Sequence, residues 1–313
     1  MPLVPVPSAR ATVDPMQIPD MRGRTVLVTG ASDGLGLASS VALARSGARV
    51  LMTSRDAAKG ERALARVNDA APGASVEVVP LDLADLASVE KAAVEVRGRV
   101  GALDVLLLNA GVMMPPQRRE TVDGFELQIG TNHLGHFALA GRLLDLVLPV
   151  PGARVVTVSS LAARGGAVDL DDLQWQTRPY DRQAAYGASK LANLLFAFEL
   201  ERRLRAAGSG AVSLAAHPGV SGTNLMSTMS VPKVVERLSK LLLAGPDQAA
   251  RPQLHAATAP GVSGADYFGP KGLGEVRGRT VSHATVPPLA HDTAKAAALW
   301  QRSTELTGVE PLG

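Results

Sequence analysis

Short apolar runs alternate with helical patterns along most of this chain, and this alternation narrows the folds open to it. Strands are predicted at residues 25–29, 49–53, 75–79, 103–108, 154–158 and 212–216. Helical stretches, such as residues 57–70, separate them. Near-continuous apolar strands joined by helices indicate a parallel sheet covered on both faces. The sequence therefore predicts an α/β fold, with a single doubly wound parallel sheet of the Rossmann type and helices on both faces.

The domain organisation follows from where the composition changes. Residues 1–20 hold five prolines, so residues 1–21 are predicted to form an extended or disordered arm. No boundary is visible before residue 216, and residues 22–313 are predicted to form one Rossmann-type domain. Apolar runs such as 105–108 and 143–150 are shorter than the ~20 residues of a membrane span, so a cytoplasmic protein is expected.

Charge and cysteine content exclude several kinds of function. The chain has 32 basic and 29 acidic residues, and the basic ones are spread out, which argues against nucleic acid as a partner. It has no cysteine, which excludes disulfides and thiol chemistry. His133 and His136 could share a helix face, but no carboxylate completes a ligand set beside them, so no metal site is expected.

A glycine-rich turn follows the first predicted strand. Gly30, Gly34 and Gly36 have the spacing G-x-x-x-G-x-G and lead into a helical pattern. In a doubly wound sheet, ligands bind beyond the carboxyl ends of the strands, and a helix N-terminus there favours phosphate. The turn predicts a dinucleotide site, against the plainer alternative of an ordinary strand-to-helix turn.

The end of the second predicted strand bears on which dinucleotide binds. A basic side chain there suits a 2′-phosphate, whereas an acidic one suits a free ribose hydroxyl. Arg55 comes first, and Asp56 is placed to cap the next helix. NADP is therefore the preferred cofactor, NAD remains possible, and the alternative for Arg55 is a solvated surface charge.

Polar residues also follow the third and fourth predicted strands. Asp82 could accept a hydrogen bond from the adenine amino group, and Asn109 with Gly111 could shape a turn against the ribose. Each of them could equally serve turn geometry alone, because Asp, Asn and Gly all favour loops.

Tyr186 and Lys190 open a long helical pattern and are placed to share one of its faces. An ordinary tyrosine has a pKa of about 10, and a neighbouring cation favours its phenolate. The pair is thus a candidate for proton transfer near neutral pH, although such a spacing also arises by accident on amphipathic helices.

Several motifs together resemble the short-chain dehydrogenase/reductase family from residue 22 to the C-terminus. They are the segment 29–36, Asn109-Ala110-Gly111, Asn132, Ser159-Ser160, Tyr186-x-x-x-Lys190 and His217-Pro218-Gly219. Segments 131–137 and 189–193 are similar to the retinol dehydrogenase and protochlorophyllide reductase-like branch. The tail segments 266–270 and 274–278 are similar to bacterial members of that branch.

The resemblance implies an NAD(P)-dependent oxidoreductase and assigns roles to residues. Tyr186 is the implied general acid or base, Lys190 lowers its pKa and holds the nicotinamide ribose, Ser160 binds the substrate oxygen, and Asn132 supports a water-mediated proton path to Lys190. Ser160 is preferred to Ser159 as the residue at the mouth of the sheet. The further implied cofactor contacts are Ser32, Asp33, Leu35, Leu83, Ala110, Pro218, Gly219, Val220 and Thr223.

Two segments bear on the substrate. Ser160 and Tyr186 are 26 positions apart, about twice the usual family spacing, and the extra segment 165–184 is expected to flank the substrate entrance. The Met- and Leu-rich segment 221–244 indicates either a lid over an apolar pocket or ordinary packing. A lipophilic ketone, aldehyde or alcohol is the expected substrate. The open alternatives are an NAD-dependent alcohol dehydrogenase and a non-catalytic nucleotide-sensing scaffold, and a homodimer is also open.

Overall fold

The computed structural model describes residues 18–220 and 244–312, which build a sheet of eight strands in the order β3-β2-β1-β4-β5-β6-β7-β8. The strands are β1 Thr25–Val28, β2 Arg49–Ser54, β3 Val76–Pro80, β4 Val105–Leu108, β5 Arg154–Val158, β6 Val212–Ala216, β7 Tyr267–Pro270 and β8 Val281–His283. All neighbours pair in parallel except β8, which runs antiparallel to β7. The predicted Rossmann-type sheet is confirmed.

Helices join the strands, and aspartates start most of the long ones. The helices are α1 Gly34–Arg45, α2 Ala57–Ala70, α3 Leu86–Arg99, α4 Leu127–Ile129, α5 Gly135–Val147, α6 Arg182–Ala206, α7 Pro246–Ala249, α8 Arg251–Thr258 and α9 Thr293–Thr307. A π-helical turn, Gly130–Leu134, links α4 to α5, and short 3₁₀ turns lie at Leu161–Gly165, Leu273–Glu275 and Pro288–His291. Asp85, for example, accepts hydrogen bonds from the first-turn amides of Ala87 and Ser88, groups that have no partner inside the helix.

Side-chain alternation along the strands sends apolar groups to both faces of the sheet. Leu27 and Leu106 lie in the core under α3, α5 and α6, whereas Val26 and Val105 lie in the core under α1, α2 and α8. Each fully buried leucine of this kind stabilises the fold by roughly 1.5–3 kcal/mol relative to an exposed one. The two cores therefore hold the sheet rigidly, with its carboxyl edge free to carry a site.

The structure differs from the sequence-based prediction in several elements. Strands β7 and β8 were not predicted, because they are short and β7 contains Gly269 and Pro270, which disfavour strands. Helix α6 begins at Arg182 rather than at Tyr186, because Asp181 caps it and accepts hydrogen bonds from the amides of Gln183 and Ala184. Tyr186 thus lies inside the helix and not at its start.

Some predicted features fall at or beyond the edges of the described residues. Thr223 and nearly all of the predicted lid segment lie outside them, as do residues 1–17 of the predicted arm. Within them, Met21 is buried, and its amide donates to the carbonyl of Ser46 at 2.8 Å. Over residues 18–220 and 244–312, no helix is both long and apolar enough to cross a bilayer.

Candidate active site

The glycine turn brings the start of α1 against the neighbouring loop. Gly30 has φ +63° and Gly34 has φ +55°, values that glycine adopts without strain. A Cβ atom at Gly36 would overlap the carbonyl oxygen of Gly30, and one at Gly30 would lie 2.9 Å from Cα of Ala110. Only glycine permits this approach, which leaves the N-terminus of α1 open to a phosphate.

Thr29 joins this turn to the loop after β4. Its hydroxyl accepts hydrogen bonds from the amides of Asn109 at 2.8 Å and Ala110 at 3.0 Å. The side-chain amide of Asn109 donates to the carbonyl of Thr29 at 2.8 Å, and its oxygen accepts from Gln253 at 3.0 Å. Asn109 therefore shapes the turn through its side chain, as the turn-geometry alternative anticipated.

A cleft of about 320 Å³ runs along the carboxyl edge of the sheet. The predicted residues that line it are Gly30, Ser32, Asp33, Gly34, Leu35, Gly36, Arg55, Asp82, Leu83, Asn109, Ala110, Gly111, Tyr186, Lys190 and Pro218. Asn132 and Ser160 contact residues that line it, whereas Gly219 and Val220 follow the lining residue Pro218 in the chain, and their amides donate to His217 and Val276. The structure thus brings residues from six strand ends into one cleft.

Two cations flank one end of the cleft. Arg55 follows β2, and Lys59 lies one helical turn further on, at the start of α2. Asp56 is the cap of α2 and accepts from the amide of Lys59 at 2.9 Å, which lowers its carboxyl pKa. Sequence reasoning missed Lys59, although its position four residues after Arg55 could have identified it.

Asp82 also lines the cleft. Its side chain accepts from the amide of Ala84 at 2.9 Å, and its own amide donates to the hydroxyl of Ser88 at 2.9 Å. The residue therefore has a turn function in the structure, while it also lines the cleft.

Tyr186, Ser160 and Lys190 converge at the other end. The hydroxyl of Ser160 hydrogen-bonds the phenol of Tyr186 and accepts from the amide of Ala162 at 3.2 Å. Ser159 points inward instead, and its hydroxyl donates to the carbonyl of Lys190 at 2.7 Å. This geometry places Ser160, and not Ser159, beside the phenol.

The protonation of this pair differs from the expectation drawn from spacing alone. Burial raises the pKa of Tyr186, and the hydrogen bond to Ser160 offsets only part of that increase. Burial also lowers the pKa of Lys190 to about 8, because a buried ammonium loses its hydration. The Lys190 Nζ donates to the carbonyl of Val158 at 3.1 Å and lies 5.9 Å from the Tyr186 ring centre, and it is not among the groups that shift the phenol pKa.

Asn132 lies in the π-helical turn and is fully buried. Its side-chain oxygen accepts from the amide of Val112 at 2.8 Å, and its side-chain nitrogen donates to the carbonyl of Val112 at 3.0 Å and to Ser189 at 2.9 Å. The Asn132 carbonyl accepts from His136 Nδ1 at 2.9 Å. The side chain thus clamps the loop after β4, and its role in a proton path stays a prediction.

The two histidines of this region make other contacts. His136 Nδ1 carries the ring proton and donates it to the carbonyl of Asn132, so Nε2 can only accept in the neutral ring. Nε2 lies 2.9 Å from the Thr29 hydroxyl, which is therefore the donor of that hydrogen bond. Burial lowers the His136 pKa to about 4, so the ring is neutral near pH 7. His133 Nε2 lies 2.8 Å from the hydroxyl of Ser303.

The turn after β6 is held through His217 by Glu275, a contact that sequence reasoning missed. The amide of Gly219 donates to His217 Nδ1 at 3.1 Å, so His217 Nε2 donates to Glu275 at 2.9 Å. Glu275 also pairs with Arg164 at 2.6 Å, and its hydrogen bonds with His217 and Thr285 lower its pKa to about 2. No sequence pattern links residues that lie so far apart along the chain.

Taken together, the residues fit a dinucleotide. Glycines allow close approach at the centre of the cleft, Arg55 and Lys59 supply positive charge at one end, and Tyr186 with Lys190 supplies proton-handling groups at the other. The arrangement can hold a phosphorylated nucleotide and exchange a proton with a molecule bound beside it.

Comparisons with known proteins identify relatives of this chain. A family model described as short chain dehydrogenase matches residues 24–232. The chain is 39% identical to human retinol dehydrogenase 13, over 92% of this chain and 86% of that protein, and 37% identical to human retinol dehydrogenase 14, over 92% and 88%. The crystal structure of an uncharacterized protein from Mycobacterium paratuberculosis is 43% identical, covers 96% of this chain and 99% of its own, and superposes with a TM-score of 0.80.

Proposed function

Because the chain belongs to the short-chain dehydrogenase/reductase family, in its retinol dehydrogenase-like branch, we propose that it is an NADPH-dependent reductase of lipophilic ketones or aldehydes. The family membership makes it an oxidoreductase that acts on CH–OH or C=O groups with an NAD(P) cofactor. The convergence of Tyr186, Ser160 and Lys190 at one end of the cleft carries the proposal.

The preference for NADPH rests on the opposite end of the cleft. Arg55 and Lys59 are exposed cations that line the cleft, and the Asp56 carboxylate between them in the chain accepts a hydrogen bond from the Lys59 amide as the cap of α2. A 2′-phosphate would gain two charge-assisted contacts there. When bound, the cofactor supplies the hydride.

The residues of this chain would handle the proton and the developing charge. Negative charge grows on the carbonyl oxygen as hydride arrives, and the hydroxyls of Ser160 and Tyr186 would stabilise it. Tyr186 then gives its proton to that oxygen. Lys190, with a pKa lowered to about 8, carries a labile proton and would hold the nicotinamide ribose next to the phenol. The raised pKa of Tyr186 suits an acid that keeps its proton until charge appears.

The lipophilic substrate is supported by apolar side chains that line the cleft. Val112, Met113 and Val158 line the cleft, and the first two follow the Asn109–Gly111 turn. Apolar walls around a few polar groups are typical of sites for apolar ligands. Methionine in particular adapts to irregular shapes.

A panel of medium-chain and aromatic aldehydes and ketones, assayed with NADPH and with NADH, tests the proposal. Turnover with NADPH at least tenfold better than with NADH is expected. Arg55→Ala should raise the NADPH KM about tenfold or more and leave the NADH KM within about twofold. An unchanged NADPH KM would favour the NAD-dependent alternative. Absence of turnover on the whole panel, with cofactor binding retained, would favour the non-catalytic alternative.

A further inference from the structure

Residues 166–181 are the part of the extra segment that lies between the 3₁₀ turn Leu161–Gly165 and α6. This segment 166–181 is bound to the loop region after β4 by buried polar groups. The phenol of Tyr180 donates to Glu126 Oε1 at 2.9 Å and accepts from Gln128 Nε2 at 2.9 Å. Glu126 and Gln128 are both fully buried. A buried polar group left without its partner costs about 1–3 kcal/mol, so this connection strongly favours one arrangement of the segment.

Gln128 extends the connection to the cleft. Its Oε1 accepts from the amide of Met114 at 2.7 Å, and its Nε2 also donates to the carbonyl of Arg182 at 3.0 Å. The orientation of the Gln128 amide is determined by these contacts, because an N–H can only donate and a carbonyl can only accept. One side chain therefore joins the loop after β4, the segment 166–181 and the first residue of α6.

Met114 is held in a conformation that few side chains adopt. Its φ is +49°, in the left-handed region, which costs about 1–2 kcal/mol for a residue with a Cβ. The neighbouring residue, Met113, lines the same cleft as Tyr186. The hydrogen bond that the Met114 amide donates to Gln128 thus fixes a strained turn, and the side chain of the preceding residue, Met113, forms part of the cleft wall.

A second connection supports the first. Gln174 Oε1 accepts from the amide of Glu126 at 2.7 Å, and the Gln174 carbonyl accepts from Arg118 at 3.0 Å. The Trp175 ring packs edge-on against Tyr180, with ring centres 5.8 Å apart, and the Arg178 guanidinium lies 3.9 Å from the centre of the Trp175 ring. The segment is thereby packed as a unit against the loop.

We propose that Tyr180 and Gln128 are positioning residues that fix the Met113–Met114 wall, so that the segment 166–181 sets the affinity for the carbonyl substrate. The effect on substrate affinity rests on the proposed function, whereas the fixing of the Met113–Met114 wall rests on geometry alone. Neither residue touches the reacting atoms. Both act through the main chain of Met114.

Hydrogen exchange and steady-state kinetics, measured on one set of variants, test the proposed positioning role. Tyr180→Phe keeps the ring and removes the hydroxyl, and Gln128→Leu removes all three hydrogen bonds of that side chain. The matched control is Asp169→Asn, since Asp169 binds only Asp171, Asp172 and Arg178 within the same segment among the hydrogen bonds of the described residues.

Exchange at the Met114 amide, followed by mass spectrometry of a peptide covering 112–118, is the readout that needs no activity. We expect exchange about tenfold faster in both variants and unchanged in the control. The KM for the carbonyl should rise about tenfold in both variants, with the NADPH KM within about twofold. If exchange at the Met114 amide is unchanged in Gln128→Leu, the inference is wrong, even if the wild-type protein shows no turnover. If exchange is faster but the carbonyl KM of an active enzyme is unchanged, the proposed effect of the segment on substrate affinity is wrong.

Discussion

Replacement of Gly36 by alanine tests how closely the glycine turn and the loop after β4 must approach. The new Cβ would overlap the Gly30 carbonyl and would lie 2.7 Å from Nδ2 of Asn109. Neither neighbour can move freely, because the Gly30 amide donates to Thr53 at 3.2 Å and the Asn109 side chain is bound to Thr29. The start of α1 must therefore shift.

Two opposing effects decide the magnitude. Alanine favours a helix over glycine by up to ~1 kcal/mol, and less in a first turn such as this one. Overpacking against immobile atoms costs ~1–3 kcal/mol. We expect Gly36→Ala to lose about 1–2 kcal/mol of unfolding free energy and to bind NADPH at least about tenfold more weakly, since the helix N-terminus no longer meets the phosphates.

Gly98→Ala is the matched control. Gly98 lies in α3, and a Cβ there would meet nothing within 4 Å, so a gain of about 0.5–1 kcal/mol is expected. Urea denaturation gives the unfolding free energies, and fluorescence titration gives the NADPH Kd. If Gly36→Ala were as stable as Gly98→Ala and bound NADPH normally, the close approach would not constrain the turn, and the reasoning would be wrong.

Three further predictions concern single groups. Tyr186→Phe should lower kcat by about 10²- to 10⁴-fold and leave the NADPH Kd within about twofold; a smaller loss would exclude Tyr186 as the acid. Burial lowers the Lys190 pKa from 10.5 to about 8, so unfolding takes up a proton between these values and wild-type stability rises with pH over that range. Lys190→Met should lack this rise, and its unfolding free energy at pH 7 should exceed that of the wild type by up to ~3 kcal/mol, as measured by urea denaturation across pH. The variant should be inactive. The Glu275 pKa is lowered from 4.5 to about 2, so Glu275→Gln should be less stable than wild type at pH 7, with a difference that shrinks as the pH falls from about 5 to 2.

The parts of the fold and site that sequence reasoning anticipated are those encoded by neighbouring residues. The alternation of apolar strands and helices is local, and so are the G-x-x-x-G-x-G turn and the spacing of Tyr186 and Lys190. Once a parallel sheet is accepted, residues that follow its strands must meet at one edge. Arg55, Asp82 and Asn109 could therefore be placed in one cleft without any coordinates.

What could not be anticipated depends on partners that are distant along the chain or on burial. Glu275 reaches His217 from 58 positions away, and Tyr180 reaches Glu126 from 54. Strand β7 is too short to show a period of its own. The direction of the Tyr186 pKa shift depends on how much water surrounds the phenol, which spacing on a helix does not reveal.

The order of the strands has a consequence for synthesis of the chain on the ribosome. The outer edge of β6 is covered by β7, yet about 50 residues separate the end of β6 from the start of β7. At roughly 5–20 residues per second, that edge stays open for about 3–10 s after β6 has been made. An open apolar strand invites pairing with other chains, so during this interval the nascent protein is exposed to edge-to-edge association.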